Sequence, residues 1–89
     1  NDNLNKFDKK LASKVFNLIK SEKRIIKENK IKKIDLYNVK KKINLLGVSK
    51  IDYIEAINLD SLNRARKYNE NFKIFSSFYL GKTRLIDNY

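Results

Sequence analysis

The spacing of the apolar residues changes once along the chain, at Gly47, and this change limits the folds that the sequence can adopt. Before Gly47, apolar residues recur at intervals of three and four positions, as in Leu11, Val15 and Leu18. That spacing places them on one face of an α-helix. After Gly47 the intervals shorten toward two, which is typical of β-strands. The sequence therefore predicts helices first and a sheet afterwards.

Two helices account for the first half of the chain. The first is predicted from Lys6 to Asn29. The second begins at Asp35, whose carboxylate is expected to cap the free amides of the first turn, and ends at Gly47, which can adopt a left-handed conformation. Its apolar face is formed by Leu36, Val39, Ile43 and Leu46.

Three strands are predicted after Gly47. The first runs from Lys50 to Asn58, where Ile51, Tyr53 and Ile57 alternate with Asp52 and Glu55. A turn or short helix at Asp60–Asn63 and a polar loop around Lys67–Glu70 lead to the second strand. The last strand runs from Thr83 to Asn88, after a tight hairpin in which Gly81 permits a type II′ turn.

The second strand is apolar on both faces, which is typical of a central strand. Phe72, Ile74 and Phe78 lie on one side, and Phe75 and Tyr79 lie on the other. We therefore predict a single α+β domain over residues 1–89, in which two N-terminal helices pack on a three-stranded antiparallel sheet.

The net charge of +11 is concentrated in the first half of the chain. Residues 1–42 contain 14 basic and 5 acidic residues, whereas residues 43–89 contain 7 and 5. The first helix carries a basic stripe, formed by Lys6, Lys9, Lys20, Arg24 and Lys27. A nucleic-acid-binding α+β module is therefore one alternative. We favour compositional drift, because Lys, Asn and Ile supply 40 of the 89 residues and only four basic residues are Arg, the residue suited to bidentate phosphate recognition.

The residue types needed for most catalytic sites are missing. The sequence has no His and no Cys, which removes imidazole bases, thiolate nucleophiles and the usual zinc ligands. With two glycines it has neither a P-loop nor a dinucleotide fingerprint. Asp52 and Glu55 are expected on opposite faces of their strand, which argues against an acid/base pair. Lys82 and Arg84 are expected to be solvated rather than to bind a phosphate. We predict no catalytic residue and no metal ligand.

Several short motifs resemble one enzyme family. The run Gly81-Lys82-Thr83-Arg84-Leu85-Ile86-Asp87-Asn88 closes the chain, after Asp52-Tyr53-Ile54-Glu55 and Asp60-Ser61-Leu62. In this order they resemble the second half of the pantothenate synthetase (pantoate:β-alanine ligase) family. Asn1 resembles the last residue of the family's Ser-Ser-Arg-Asn motif, with Leu4 matching the leucine that follows. The chain departs from the family in lacking a proline after the Asp-Tyr strand, and in having Ser77 where alanine is usual.

The resemblance implies a parent enzyme that joins pantoate to β-alanine with ATP and Mg²⁺. Pantoyl adenylate and pyrophosphate form first, and β-alanine then displaces AMP to give pantothenate. The nucleotide-binding N-terminal domain of the family carries a His-x-Gly-His motif, so the absence of His implies that this domain is not part of the sequence. The chain also lacks Met, and we expect it to be a C-terminal, lid-like domain that is inactive alone. The full enzyme is expected to be a cytoplasmic homodimer.

Site assignments follow from the same resemblance. Asn1 is expected near the nucleotide. A structural or closure role is expected for the signature residues, which are Asp52, Tyr53, Gly81, Thr83, Arg84, Asp87 and Asn88. For the structural role, Leu85 and Ile86 are expected in the core, Asp87 and Asn88 near backbone groups, and Arg84 in an internal ion pair.

A third alternative is an interaction domain that binds a protein partner. Its docking surface would be an exposed apolar patch around Phe72, Phe75 and Tyr79.

Overall fold

The computed structural model describes residues 4–89 and contains two helices followed by a three-stranded sheet. The elements are α1 (Lys6–Glu28), α2 (Tyr37–Leu46), β1 (Lys50–Asn58), β2 (Phe72–Leu80) and β3 (Thr83–Asn88). The strand order is β1-β2-β3, and both neighbouring pairs are antiparallel. The predicted α+β arrangement is therefore confirmed.

Both helices begin beside a side chain that accepts a hydrogen bond from a free backbone amide, and α2 ends at a glycine. Asn5 precedes α1 and accepts a hydrogen bond from the amide of Asp8 at 2.8 Å. The Asp35 carboxylate accepts from the amide of Tyr37 at 2.9 Å, as expected, but Leu36 occupies the capping position, so the predicted start of α2 was one residue early. Gly47 ends α2 in the left-handed conformation, with φ of 107°.

The core lies between the helices and one face of the sheet. Val15, Ile43 and Phe78 are fully buried there, and the rings of Phe16 and Phe78 meet edge to face with centroids 5.6 Å apart. Leu46 was predicted in this core but is 37% exposed. It lies at the margin of the apolar face of α2, because the helical rotation carries it away from the centre of that face.

A β-bulge at Asp52 decides which residues of β1 face the core. Ile51 pairs with Phe78 and Tyr53 pairs with Ser77, so Asp52 is an extra residue between them. An extra residue reverses the alternation of side chains beyond it. The buried residues of β1 are consequently Ile54 and Ala56, and the predicted alternation of Ile51, Tyr53 and Ile57 on one face was wrong.

The free edge of β1 is partly covered by the loop that follows it. Ala65 donates its amide to the carbonyl of Ala56 at 2.8 Å, and Arg64 forms a bridge with Ile57. Covering the edge in this way reduces the number of backbone groups available to a foreign strand.

A two-residue loop joins β2 to β3, since Leu80 pairs with Thr83. Gly81 has φ of 61° and the following lysine has a negative φ, which matches the expected type II′ turn. Leu85 is buried in the core as predicted. Ile86 is 61% exposed, so its predicted place in the core was wrong; alternation along β3 turns it to the other face.

Candidate functional site

Three polar side chains on the face of the sheet opposite the helices form a connected network. Arg84 donates from Nη2 to Oδ2 of Asp52 at 2.8 Å and from Nε to Oγ of Ser77 at 2.9 Å. The Ser77 hydroxyl donates to the same Asp52 oxygen at 3.4 Å. One residue comes from each strand, so the network joins β1, β2 and β3.

The bulge explains how Asp52 reaches this position. The extra residue turns its carboxylate toward the outer face, beside Ser77 of the central strand. Glu55 pairs with Phe75, which is also on the outer face, so the expectation that Asp52 and Glu55 lie on opposite faces was wrong. Ser77 has no exposed surface, and its hydroxyl depends on Asp52 and Arg84 for hydrogen bonds.

The network occupies one part of a largely uncovered sheet face. Pairing across the strands defines three rows there, Lys50–Tyr79–Arg84, Tyr53–Ser77–Ile86 and Glu55–Phe75–Asn88. The aromatic residues are half-buried and Ile86 is exposed. Phe72, which was predicted to belong to an apolar patch with Phe75 and Tyr79, is only 2% exposed and lies in the core instead.

The remaining signature residues lie at the hairpin and along β3. Gly81 donates its amide to Oγ of Ser49 at 2.7 Å, which ties the hairpin to the segment before β1. Thr83 is half-buried opposite Leu80. Asp87 pairs with Ser76 on the helix side of the sheet and is half-buried.

Asn88 differs from its sequence-based expectation in the group it contacts, whereas Arg84 agrees with its expected ion pair. The Asn88 side-chain oxygen accepts from Nζ of Lys73 at 3.2 Å, a side-chain contact rather than a backbone one. Arg84 forms the internal ion pair that was expected, so its guanidinium does not combine with Lys82 into an anion clamp. Asn1, which was expected near the nucleotide, lies outside the described residues.

A basic groove between α1 and the end of the sheet was only partly anticipated. Its cationic residues are Lys20, Lys23, Arg24, Lys27 and Lys73. Three of them belong to the basic stripe predicted on the first helix. Lys23 and Lys73 were missed, because Lys23 lies closer to the apolar face and Lys73 comes from a distant strand.

Glu70 organises the loop between β1 and β2. Its carboxylate accepts hydrogen bonds from the Asn58 side chain at 2.9 Å and from the amides of Arg66 and Lys67 at 2.7 Å each. These hydrogen bonds, that of Asn58 foremost, stabilise the charged form and lower the pKa of Glu70 below its usual value of 4.5. The role is structural, since each of these contacts is internal to the chain.

The two acidic side chains of β1 each lie near an arginine. Among residues 4–89, no three carboxylate groups converge to form a metal site. Asp52 is paired with Arg84, and Glu55 has Arg64 at 4.0 Å. Over the same described residues, the structure contains no helix with the length and apolar character needed to cross a membrane.

The family model and the curated relatives that match this chain all belong to one enzyme family. The family described as pantoate-beta-alanine ligase matches residues 1–89. Pantothenate synthetase from Ruthia magnifica is 32% identical over 88 residues, which is 99% of this chain and 31% of the relative. The Clostridium botulinum pantothenate synthetase is 33% identical over 90 residues, covering 97% of this chain and 31% of the relative. That of Enterococcus faecalis is 37% identical over 51 residues, or 57% of this chain and 18% of the relative.

No solved structure matches the chain significantly. The chain spans less than a third of the length of the curated relatives that it matches. Since the family match extends over every residue from 1 to 89, the chain belongs to the pantoate–β-alanine ligase family.

Proposed function

We propose that this chain acts as the C-terminal lid domain of a pantoate–β-alanine ligase. The observation that carries the proposal is the family match over residues 1–89 in a chain that spans 31% of two relatives named pantothenate synthetase. The parent enzyme would form pantoyl adenylate from pantoate and ATP, and then pantothenate from the adenylate and β-alanine. The lid would exclude water from the adenylate, which is readily hydrolysed.

The residues of this chain support a positioning role rather than a chemical one. The sequence contains no His and no Cys, and the Asp52 carboxylate is engaged by Arg84 at 2.8 Å. Residues 4–89 bring no three carboxylates together around a cation, so we assign the reacting ATP and its Mg²⁺ to the rest of the enzyme. On this basis the chain alone is expected to be inactive.

The uncovered sheet face is the surface that we assign to docking against the rest of the enzyme. It carries Tyr53, Phe75 and Tyr79, half-buried aromatic residues that would bury further apolar area on contact. The Asp52–Arg84 pair lies among them and would fix orientation through polar contacts. The signature residues Asp52 and Arg84 would then both strengthen the sheet and shape its docking face.

Complementation tests the proposal. Pantothenate formation from ATP, pantoate and β-alanine is measured with this chain alone, with the remainder of the ligase alone, and with the two mixed. We expect turnover only in the mixture, because the lid must close over a site that lies on the other piece. A mixture that binds but gives no more turnover than the remainder alone would exclude a lid role.

A pair of variants separates docking from folding. Phe75→Ser alters the uncovered sheet face, whereas Leu45→Ser alters a leucine that is 85% exposed on α2. Both variants introduce a serine in place of a large apolar residue. We expect Phe75→Ser to raise the concentration of lid needed for half-maximal turnover and Leu45→Ser to leave it unchanged. Equal effects of the two variants would assign docking to another surface.

A further inference from the structure

The basic groove is built from the second half of α1 and the end of the sheet. Lys20, Lys23, Arg24 and Lys27 come from α1, and Lys73 comes from β2. The groove is open and has a volume of about 890 Å³. Its other lining residues are Asn17, Ser21, Asn88 and Tyr89, so among residues 4–89 no acidic side chain lines the groove.

Aromatic rings hold several of the ammonium groups in the groove. Nζ of Lys27 lies 4.7 Å from the ring centre of Phe72, and Nζ of Lys23 lies 5.3 Å from the same ring. Lys20 and Lys23 lie 5.1 Å and 5.7 Å from the ring centre of Tyr89. Such contacts restrict where these flexible side chains place their charges, and so reduce the ordering that a ligand would require.

Hydrogen bonds orient two of the lysines further. Nζ of Lys27 donates to the backbone carbonyl of Glu70 at 3.0 Å, and Nζ of Lys73 donates to the Asn88 side chain at 3.2 Å. Neither acceptor carries a negative charge that would neutralise the lysine. Partial burial, followed by the nearby charges of Lys27 and Lys73, lowers the pKa of Lys23. The fold therefore holds like charges close together.

We infer that this groove binds a polyphosphate chain, either as a free ion or as part of a nucleotide. This site goes beyond the proposed lid function and does not depend on it. An anion placed in the groove would relieve the mutual repulsion of five cations. Four of the five are lysines, which act as point charges and suit a flexible chain of phosphates better than a single planar, bidentate partner.

The length of the groove favours a compact anion over a nucleic acid. Lys20 and Lys27 are seven residues apart on α1, a distance of about 10 Å along the helix axis. This distance is comparable with the length of a triphosphate. A nucleic-acid surface that contacts about six to ten phosphates requires a longer stripe of cations than this groove supplies.

Calorimetric titration of the whole 89-residue chain tests the inference. The probes are sodium tripolyphosphate, ATP and AMP, each without Mg²⁺, at about 50 mM and about 200 mM salt. We expect tripolyphosphate and ATP to bind, AMP to bind about tenfold more weakly, and the affinity to fall with salt. Comparable affinities for ATP and tripolyphosphate would identify the phosphate chain as the recognised group, and tighter binding of ATP would add a contact to the nucleoside.

A matched pair of double variants locates the site. Lys23→Gln with Lys27→Gln removes two charges from the groove, and Lys32→Gln with Lys33→Gln removes two from exposed positions between the helices. We expect the groove variant to bind tripolyphosphate about tenfold more weakly and the control variant less than about twofold more weakly. Equal losses would show a net-charge effect and overturn the inference, as would the absence of binding to the unaltered chain.

Two further measurements keep the test independent of folding and of polymer binding. Circular dichroism checks that the groove variant is folded; if it is not, Lys20→Gln with Arg24→Gln replaces it, since both side chains are exposed. A short oligothymidylate is then titrated. Binding of the oligonucleotide more tightly than tripolyphosphate, with a loss in the same variant, would reassign the groove to nucleic acid. Ligase turnover plays no part in any of these outcomes.

Discussion

Removing the Arg84 side chain should weaken the sheet by breaking contacts that join its three strands. Arg84→Ala deletes the 2.8 Å contact with Asp52 and the 2.9 Å hydrogen bond to Ser77. The ion pair is partly exposed, with 43% and 37% of the two side chains accessible, so we assign it only about 0.5–1 kcal/mol. The hydrogen bond to a fully buried hydroxyl adds about 1 kcal/mol.

The sum is a loss of about 1.5–2 kcal/mol in the free energy of unfolding. For a domain of this length, each kcal/mol lowers Tm by about 4–8 °C, so the expected decrease is about 6–16 °C. Urea unfolding followed by circular dichroism measures the free energy directly. Arg64→Ala is the matched control, because Arg64 lies 4.0 Å from Glu55, has 79% of its side chain exposed, and should change stability by less than about 0.5 kcal/mol.

Double-mutant cycles separate the two contacts of Arg84. The coupling between Arg84 and Asp52 should be about 0.5–1 kcal/mol at low salt and should shrink in high salt, because the pair is accessible to ions. The coupling between Arg84 and Ser77 should be about 1 kcal/mol and insensitive to salt, because Ser77 is buried. The conclusion that the network stabilises the sheet would be refuted if Arg84→Ala lowered the free energy of unfolding no more than Arg64→Ala, or if both coupling energies were near zero.

Three other changes test the core, the hairpin and the loop. Ile43→Val should lower the free energy of unfolding by about 1 kcal/mol, because Ile43 is fully buried, whereas Leu45→Ala at a site 85% exposed should change it by less than about 0.5 kcal/mol in the same urea titration. Gly81→Ala should lower the free energy of unfolding by about 1–2 kcal/mol, because φ is 61° and a side chain strains this left-handed conformation. Steric overlap does not contribute, since no atom lies within 4 Å of an added methyl group. An unchanged free energy of unfolding would show that the backbone is not strained by the substitution. Glu70→Gln should lower Tm at neutral pH. The pKa of Glu70 is depressed in the folded state, so the charged carboxylate stabilises the fold at pH values above its usual pKa of 4.5. That contribution is lost as the pH falls through the lower pKa of the folded state. The difference between Glu70→Gln and the unaltered chain should therefore shrink on acidification, and a difference independent of pH would show that the Glu70 charge is not involved.

Local signals were sufficient for the elements of the fold. The period of the apolar residues predicted α1 within one residue of its observed end and gave both bounds of β1 and of β3. Gly47 and Gly81 marked a helix end and a hairpin because both positions require positive φ. Apolar residues on both faces of β2 identified it as the central strand.

Tertiary structure decided which side chains meet. Asp52 and Arg84 are 32 residues apart, and only the bulge in β1 turns the carboxylate toward the guanidinium. No periodic pattern reveals a bulge, since it depends on the pairing of two strands, and the opposite faces predicted for Asp52 and Glu55 were therefore wrong. Lys73 joins the lysines of α1 for the same reason, because a contact between distant segments requires the folded sheet. The sequence by itself determined the elements, their order and the family, since these depend on local periodicity and short motifs, whereas the network and the groove depend on distances that only the assembled fold sets.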